Sequence, residues 1–483
     1  QESTAFAGRQ AMVNPAVVAL ATGIGLLTDK YMLEATNFVD HYATHMNPSS
    51  QQKEFIKAAM YAGAILGMIT LGPISDLTGR RFCLILCSVI TAAGALLSTF
   101  AWDANALIVA RIITGIGMGG EYPLASTHSA ESAKDTSNGS RNVALLYLFG
   151  SGGGPILCDL VVFILDVSGM EGPIIWRCVF GFGTALAFLG LFLRFFTTKD
   201  SDKFVKRTKT AKGARRNFFR FYWQPLLGTA GIWLLFDIVE YGLKQNDAAI
   251  FAADADGPYW QSVLTVLATR SLVIPSLVFA PWLLTQISSK RVQFIGFVGC
   301  FFSNLVLAVG YKQLKKITIL FDALYIVQLS FQSLPGVTTM AIPAEIFPSA
   351  MRGTGAGISA ASGKVGATIG SYFFTVLKEE GNIQGIFYCV VGTSTLALIM
   401  TFLFTPFYNG NALDKAEMFA AGGDLGNAVK TLYGGPIDSS LLDEKEQAEL
   451  EAGAESNDAA GFQCVENGSG DDDDSTEDDE RRS

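Results

Sequence analysis

Apolar stretches of about twenty residues, the length a helix needs to cross a hydrocarbon core of ~30 Å, recur along this chain from Asn14 to Phe407. Twelve can be placed, at 15–38, 54–74, 82–101, 105–127, 142–166, 174–196, 224–244, 261–283, 292–311, 317–341, 354–377 and 383–407. Only 16% of the 483 residues are charged, against about 25% in an ordinary soluble domain, and the mean hydropathy is +0.34. These features exclude a typical soluble enzyme and predict an all-α membrane protein of twelve transmembrane helices.

An even number of spans puts both termini on one side. The expected inner loops carry Arg80 and Arg81, then Lys134 and Arg141, a basic run from Lys199 to Arg220, Lys290 and Arg291, and Arg352. Positive charge marks the cytosolic face, so both termini are placed in the cytosol. The loop holding Asp254 and Asp256 falls outside; Lys312, Lys315 and Lys316 on another outer loop weaken the pattern without reversing it. The chain opens on Gln1 with no signal peptide, so its start reads as trimmed and the first span as its own targeting signal.

Residues 21–29 read "ATGIGLLTD" and residues 229–237 read "TAGIWLLFD", an echo at an offset of 208 with six spans between. "GRRF" at 79–82 and "SSKRV" at 288–292 repeat at nearly the same offset. Two parallel six-helix halves explain both. The expected organisation is a cytosolic segment 1–14, a bundle over 15–196, a basic linker over 197–223, a second bundle over 224–407 and a cytosolic tail over 408–483. The tail reads as acidic and mostly disordered, its run "DDDDSTEDDE" supplying eight of the acids behind a net charge of −9. The seven cysteines show no metal spacing, and most fall inside spans as packed thiols. No metal, cofactor or nucleic-acid partner is expected. With no nucleophile beside a base and only His41, His45 and His128 among histidines, neither is enzyme activity.

The loop "GPISDLTGRR" at 72–81 is similar to the major facilitator superfamily signature between helices two and three, matching at Gly72, Asp76, Gly79, Arg80 and Arg81, with Leu77 where an Arg is usual. Its glycines let helices approach, and its acid and arginines can pair across a gate. "RIITGIGMGGEYPLASTHSAE" at 111–131 resembles the hallmark of the phosphate:proton symporter family, with Glu121 in place of the usual Asp. "PAEIFPSAMRGTGAGISAASGKVGATIG" at 343–370, "TAGIWLLFDIVEYGLKQN" at 229–246 and Trp176-Arg177 resemble further segments of that family. The likeness covers about residues 20–405. It implies the major facilitator fold and proton-coupled transport of phosphate.

An ionised side chain at the bilayer centre costs ~3 kcal/mol or more, so each one asks for a partner or a role. Lys364 and Asp237 are expected to approach each other in the empty site, each lowering the other's cost of burial. An arriving anion would compete with Asp237 for Lys364, and protonating Asp237 would release the lysine; a purely structural pair is the alternative. Trp233 and Tyr241, each four residues from Asp237, share its helix face. They can bond an oxyanion or, for Trp233, pack against lipid. The resemblance implies that Lys364, Asp237, Trp233 and Tyr241 bind substrate. Asp29 and Glu121 are expected to carry protons together with Asp237, although Asp29 can equally pack against a neighbouring helix end. Tyr122 is expected in the cavity and Arg111 as a structural partner. Glu240 also lies within a span. Arg270 can bind a second anionic oxygen or pair with Asp322 or Glu240.

Four departures from the family pattern bear on the substrate. Met32 stands where a second acid is usual, Cys87 where a glutamate is, Gly336 replaces an Asn, and "YLFGSGGG" at 147–154 lacks a ligand Gln. The lost side chains predict a larger cavity, partly refilled by Gln332, Thr338 and Ser151. The substrate reading is inorganic phosphate carried with protons across the plasma membrane. A glycerophosphodiester or other organic anion is the alternative, and a non-transporting nutrient sensor a third.

Overall fold

The computed structural model describes residues 15–43, 46–133, 136–198, 214–250, 258–408, 410–421 and 423–434. The N-terminal segment 1–14, most of the basic linker, the loop with Asp254 and Asp256 and the acidic tail from 435 lie outside the described residues. Among those described, the apolar stretches form twelve long helices. In the first half they are α1 (Pro15–Ala35), α2 (Ser50–Thr78), α3 (Arg80–Thr99), α4 (Ala104–Glu131), α5 and α6 (Gly172–Thr197), where α5 runs from Thr136–Tyr147 through a π-helical turn, Leu148–Gly153, into Gly154–Val167. The second half comprises α7 (Trp223–Ile250), α8 (Tyr259–Gln286), α9 (Ser289–Leu314), α10 (Thr318–Ile346), α11 (Arg352–Glu379) and α12 (Ile383–Phe404).

Several helices outrun their apolar stretches. The 28 residues of α4 reach about 42 Å at 1.5 Å per residue, and α2, α4 and α10 continue past the expected ends at 74, 127 and 341. Hydropathy stops where charges begin, whereas the backbone ladder continues to where Asp76 and Glu131 meet arginines and Glu345 meets hydroxyl donors. Local chemistry fixes the starts. Ser49 and Gln52 close a reciprocal capping box on α2, and Asp103 accepts from the Ala106 amide at the start of α4.

The packing repeats with the sequence. In the first half α1 packs on α5 and α6, α4 on α2 and α3, and α3 on α6; in the second, α7 packs on α11 and α12, α10 on α8 and α9, and α9 on α12. Adding six to each first-half pair generates the second-half set. The halves meet where α2 packs on α11 and α5 on α8, an exchange that an approximate two-fold axis requires. Phe192, Phe196, Phe302 and Phe402 project outward, as a lipid-facing surface demands. Eight of the helices are long and apolar enough by composition to cross a membrane. The remaining four, α1, α4, α10 and α11, carry charged, polar and glycine residues turned toward the interior.

The start of the tail departs from the expected disorder. Residues Gly410–Ala421 form α13 and Leu425–Leu432 form α14. α14 buries Leu425, Ala428 and Leu432 and packs on a linker helix, Ala214–Phe221, while Tyr433 Oη donates to the Phe404 carbonyl at 2.6 Å. The acidic run at the end of the chain dominates the composition of 408–483 and hides this amphipathic stretch.

Candidate functional site

The centre of the molecule is built on one face of α7, where Trp233, Asp237 and Tyr241 follow at one-turn intervals. Lys364 Nζ, on α11, donates to Asp237 Oδ2 at 2.8 Å and to Tyr241 Oη at 2.7 Å. The ion pair expected from the sequence is therefore present, with both partners almost fully buried. The Trp233 indole lies against Gly363, beside the lysine, where a Cβ would collide with it. From the other half, α1 contributes Lys30, whose Nζ donates to the same Tyr241 Oη at 3.0 Å. Both ammonium groups sit near the Tyr122 ring of α4, Lys30 at 5.0 Å and Lys364 at 5.4 Å from its centroid. Together these residues and Tyr147 line a small central pocket.

The cavity is not enlarged at Gly336. A Cβ there would meet the Tyr147 hydroxyl and the Phe236 ring, so a phenol from α5 fills the space that the glycine leaves. Gln332 does not reach the pocket wall: its Nε2 donates to Glu240 at 2.6 Å, and Gln328 donates to its carbonyl. Thr338 turns to Gln293 at 3.2 Å. Ser151 lines an adjoining cavity with Tyr147 and Arg270.

Arg270 pairs with neither Asp322 nor Glu240. Its Nη1 lies 2.7 Å from Asp159 and 3.0 Å from Glu34, and its Nη2 3.9 Å from Asp247. Because α8 packs on α5 across the interface, the guanidinium meets acids of the first half, while Glu240 is held by Lys244 at 2.5 Å, one turn along α7. The cluster forms the floor of a vestibule whose wall includes Glu34, Asp159, Lys244, Asp247 and Arg270.

Glu121 lies away from the two lysines. It pairs with Arg194 of α6, which also donates to Ser88 Oγ at 2.8 Å. This pair sits directly over Gly25, where a Cβ would strike both groups. Asp29 follows one turn later on α1, fully buried, with neither carboxylate oxygen hydrogen-bonded among the described residues. Arg111 is structural here, its Nη2 donating to the Met32 carbonyl at 2.6 Å and to Thr36 at 2.8 Å.

At the end opposite the vestibule, the 72–81 motif joins the two halves. Asp76 accepts from the Gly353 and Thr354 amides at 2.9 and 2.7 Å, capping the start of α11. Arg80 binds Asp76 at 2.7 Å, Glu131 at 3.2 Å and the Ser349 carbonyl at 3.1 Å. Arg352 binds Glu131 and Glu417, each at 3.1 Å. Gly72 lies against the Gly353 backbone, with no room for a Cβ, and Gly79 adopts φ +108° between α2 and α3. Arg81 follows in the first turn of α3.

A family model described as "Sugar (and other) transporter" matches residues 23–225 and 256–419. The chain belongs to that family. Among its relatives is the inorganic phosphate transporter PT2 of Toxoplasma gondii, 30% identical over 72% of this chain and 64% of that protein. This chain thus spans just under two thirds of that relative. The glycerophosphoinositol transporter 1 of Saccharomyces cerevisiae is 27% identical over 81% of this chain and 79% of its own length. The proton:xylose symporter XylE bound to 6-bromo-6-deoxy-D-glucose matches with a TM-score of 0.72 at 17% identity, over 81% of this chain and 95% of that one. That likeness shows the major facilitator fold.

For a member of this transporter family, sequence reasoning overlooked Lys30, Glu34, Asp159, Arg194, Lys244 and Asp247. Lys30, Glu34, Asp159, Arg194 and Lys244 are ionisable residues inside apolar spans, and that signal alone marks them. Tyr147 carries no such signal, and only the approach of α5 to Gly336 reveals it.

Proposed function

We propose that this chain is a secondary active transporter that carries inorganic phosphate with protons by alternating access between two six-helix halves, spanning 15–196 and 224–407. The observation that carries the reading is the buried Lys364–Asp237 pair closed by Tyr241. An oxyanion entering the pocket competes with Asp237 for the lysine. A proton on Asp237 removes that competition, so anion and proton favour each other's binding. Asp29 and Glu121, on the first-half side, are the further proton carriers in this scheme. Trp233, Tyr241 and Tyr122 enclose the anion. Arg270 stands at the vestibule floor, between the opening and the pocket.

The similarity to a protein named an inorganic phosphate transporter supports this substrate. The similarity to one named a glycerophosphoinositol transporter keeps the organic phosphate ester as the second reading. We place the transporter in the plasma membrane with both termini and the 72–81 motif cytosolic, so that the vestibule opens outward. The test is uptake of radiolabelled phosphate into proteoliposomes with and without an inward proton gradient. Gradient-driven uptake abolished by Lys364→Ala is the expected result. A folded wild-type protein that moves no phosphate under either condition overturns the reading.

A further inference from the structure

Resting on the phosphate reading, the pocket specifies the charge of the substrate. Two ammonium groups from opposite halves, Lys30 of α1 and Lys364 of α11, converge on the single hydroxyl of Tyr241 at 3.0 and 2.7 Å. A phenol oxygen has two lone pairs, and both are engaged. Their positive charges are not equally compensated. Lys364 has Asp237. Among the described residues Lys30 has no ion pair, its Nζ bonding Tyr241 and lying 5.0 and 5.3 Å from the Tyr122 and Tyr241 ring centroids. The nearby Glu240 is already committed to Lys244 and Gln332. Like charges brought together out of water repel strongly, and each lysine is at least nine-tenths buried.

We propose that Lys30 and Lys364 form a two-lysine site that selects a dianionic phosphoryl group, hydrogenphosphate or a small phosphate monoester, over singly charged phosphodiesters. The charges then balance. With Asp237 protonated, two ammonium groups meet two negative charges, and the Tyr241 hydroxyl, relieved of accepting from both lysines, donates its proton to a phosphoryl oxygen. A monoanion in the same place leaves one buried ammonium uncompensated. Tyr147 over Gly336 narrows the pocket from the α5 side, which favours a compact phosphoryl group over a larger ester. Because one lysine lies on each half, the dianion also bridges the two bundles, which ties its charge to the closing movement.

The experiment is calorimetric titration of the purified full chain in nanodiscs with inorganic phosphate, methylphosphonate and dimethyl phosphate. It is run at about pH 8, above the second phosphate ionisation. The expected wild-type result is phosphate and methylphosphonate binding on the order of tenfold or more tighter than dimethyl phosphate. Lys30→Gln should remove most of that preference by weakening phosphate alone, and Lys30→Arg should retain it. Phosphate bound equally well by wild type and Lys30→Gln overturns the two-lysine site while leaving the phosphate reading intact. A wild-type chain that binds neither phosphate nor methylphosphonate overturns both. If Lys30→Gln does not fold, wild-type selectivity decides alone: equal affinity for phosphate and dimethyl phosphate overturns the proposal.

Discussion

Most of the buried charges among the described residues are answered by a particular neighbour, and removing one member of a pair exposes what the other costs. Glu121 and Arg194 are both almost fully buried in the first half. Arg194→Leu leaves Glu121 ionised without its partner or forces it to take up a proton, and breaking such a pair costs about 3–5 kcal/mol. Thermal unfolding in detergent should show a marked fall in Tm for Arg194→Leu and for Glu121→Leu separately. The double variant should recover much of the loss, since no lone charge remains. Additive losses in the double variant would show that the two groups do not act as a pair. Asp29 differs, because among the described residues its carboxylate oxygens have no hydrogen-bond donor.

At the scale of the element, helix α13 acts as a strap across the end that carries the 72–81 motif. Glu417 accepts from the Ser349 amide at 3.0 and 3.1 Å and from Arg352 at 3.1 Å, and so holds the turn between α10 and α11 that faces Asp76 and Arg80. Tyr408 donates to Glu345, and Ser289 donates to the same carboxylate at 2.9 Å, fixing the ends of α9 and α10 near the strap. Glu417→Ala should leave the twelve-helix bundle folded but loosen this end. A cysteine introduced by Ser349→Cys should then react faster with a membrane-impermeant maleimide applied from that side. An unchanged rate would mean that Arg80 and Asp76 hold the turn without help from the strap.

For the whole molecule, the two ends are fastened by unlike devices. At the motif end Asp76 and Arg80 of the first half grip the start of α11 and the turn before it. At the vestibule end Arg270 of the second half grips Glu34 and Asp159 of the first. Alternating access requires that one end part while the other holds, so weakening either should shift the balance in a predictable sense. Spin labels at Asn37→Cys and Ser262→Cys, on opposite halves at the vestibule, report the separation there. Arg270→Met should lengthen that distance, and Asp76→Ala should shorten it by releasing the other end. The same distance distribution in all three proteins would remove the fastening role from both clusters.

The sequence by itself determined the twelve helices, their division into two halves and the side of α7 on which Trp233, Asp237 and Tyr241 stand. Apolar length, a repeat at an offset of 208 and one-turn spacing are all written along the chain. It also determined that Lys364 and Asp237 need each other, because the cost of burying a lone charge admits few other solutions. Only the tertiary structure decided which further charges join them. Lys30 reaches Tyr241 of the opposite half, Arg270 finds Glu34 and Asp159 instead of Asp322 or Glu240, and Tyr147 fills the space at Gly336. These contacts depend on how α1, α5 and α8 approach across the interface, and no local pattern encodes that approach. The folded strap of α13 and α14 was hidden for a different reason: the acidic run that follows dominates the composition of 408–483, and only the structure shows α14 burying Leu425, Ala428 and Leu432 and packing on the linker helix.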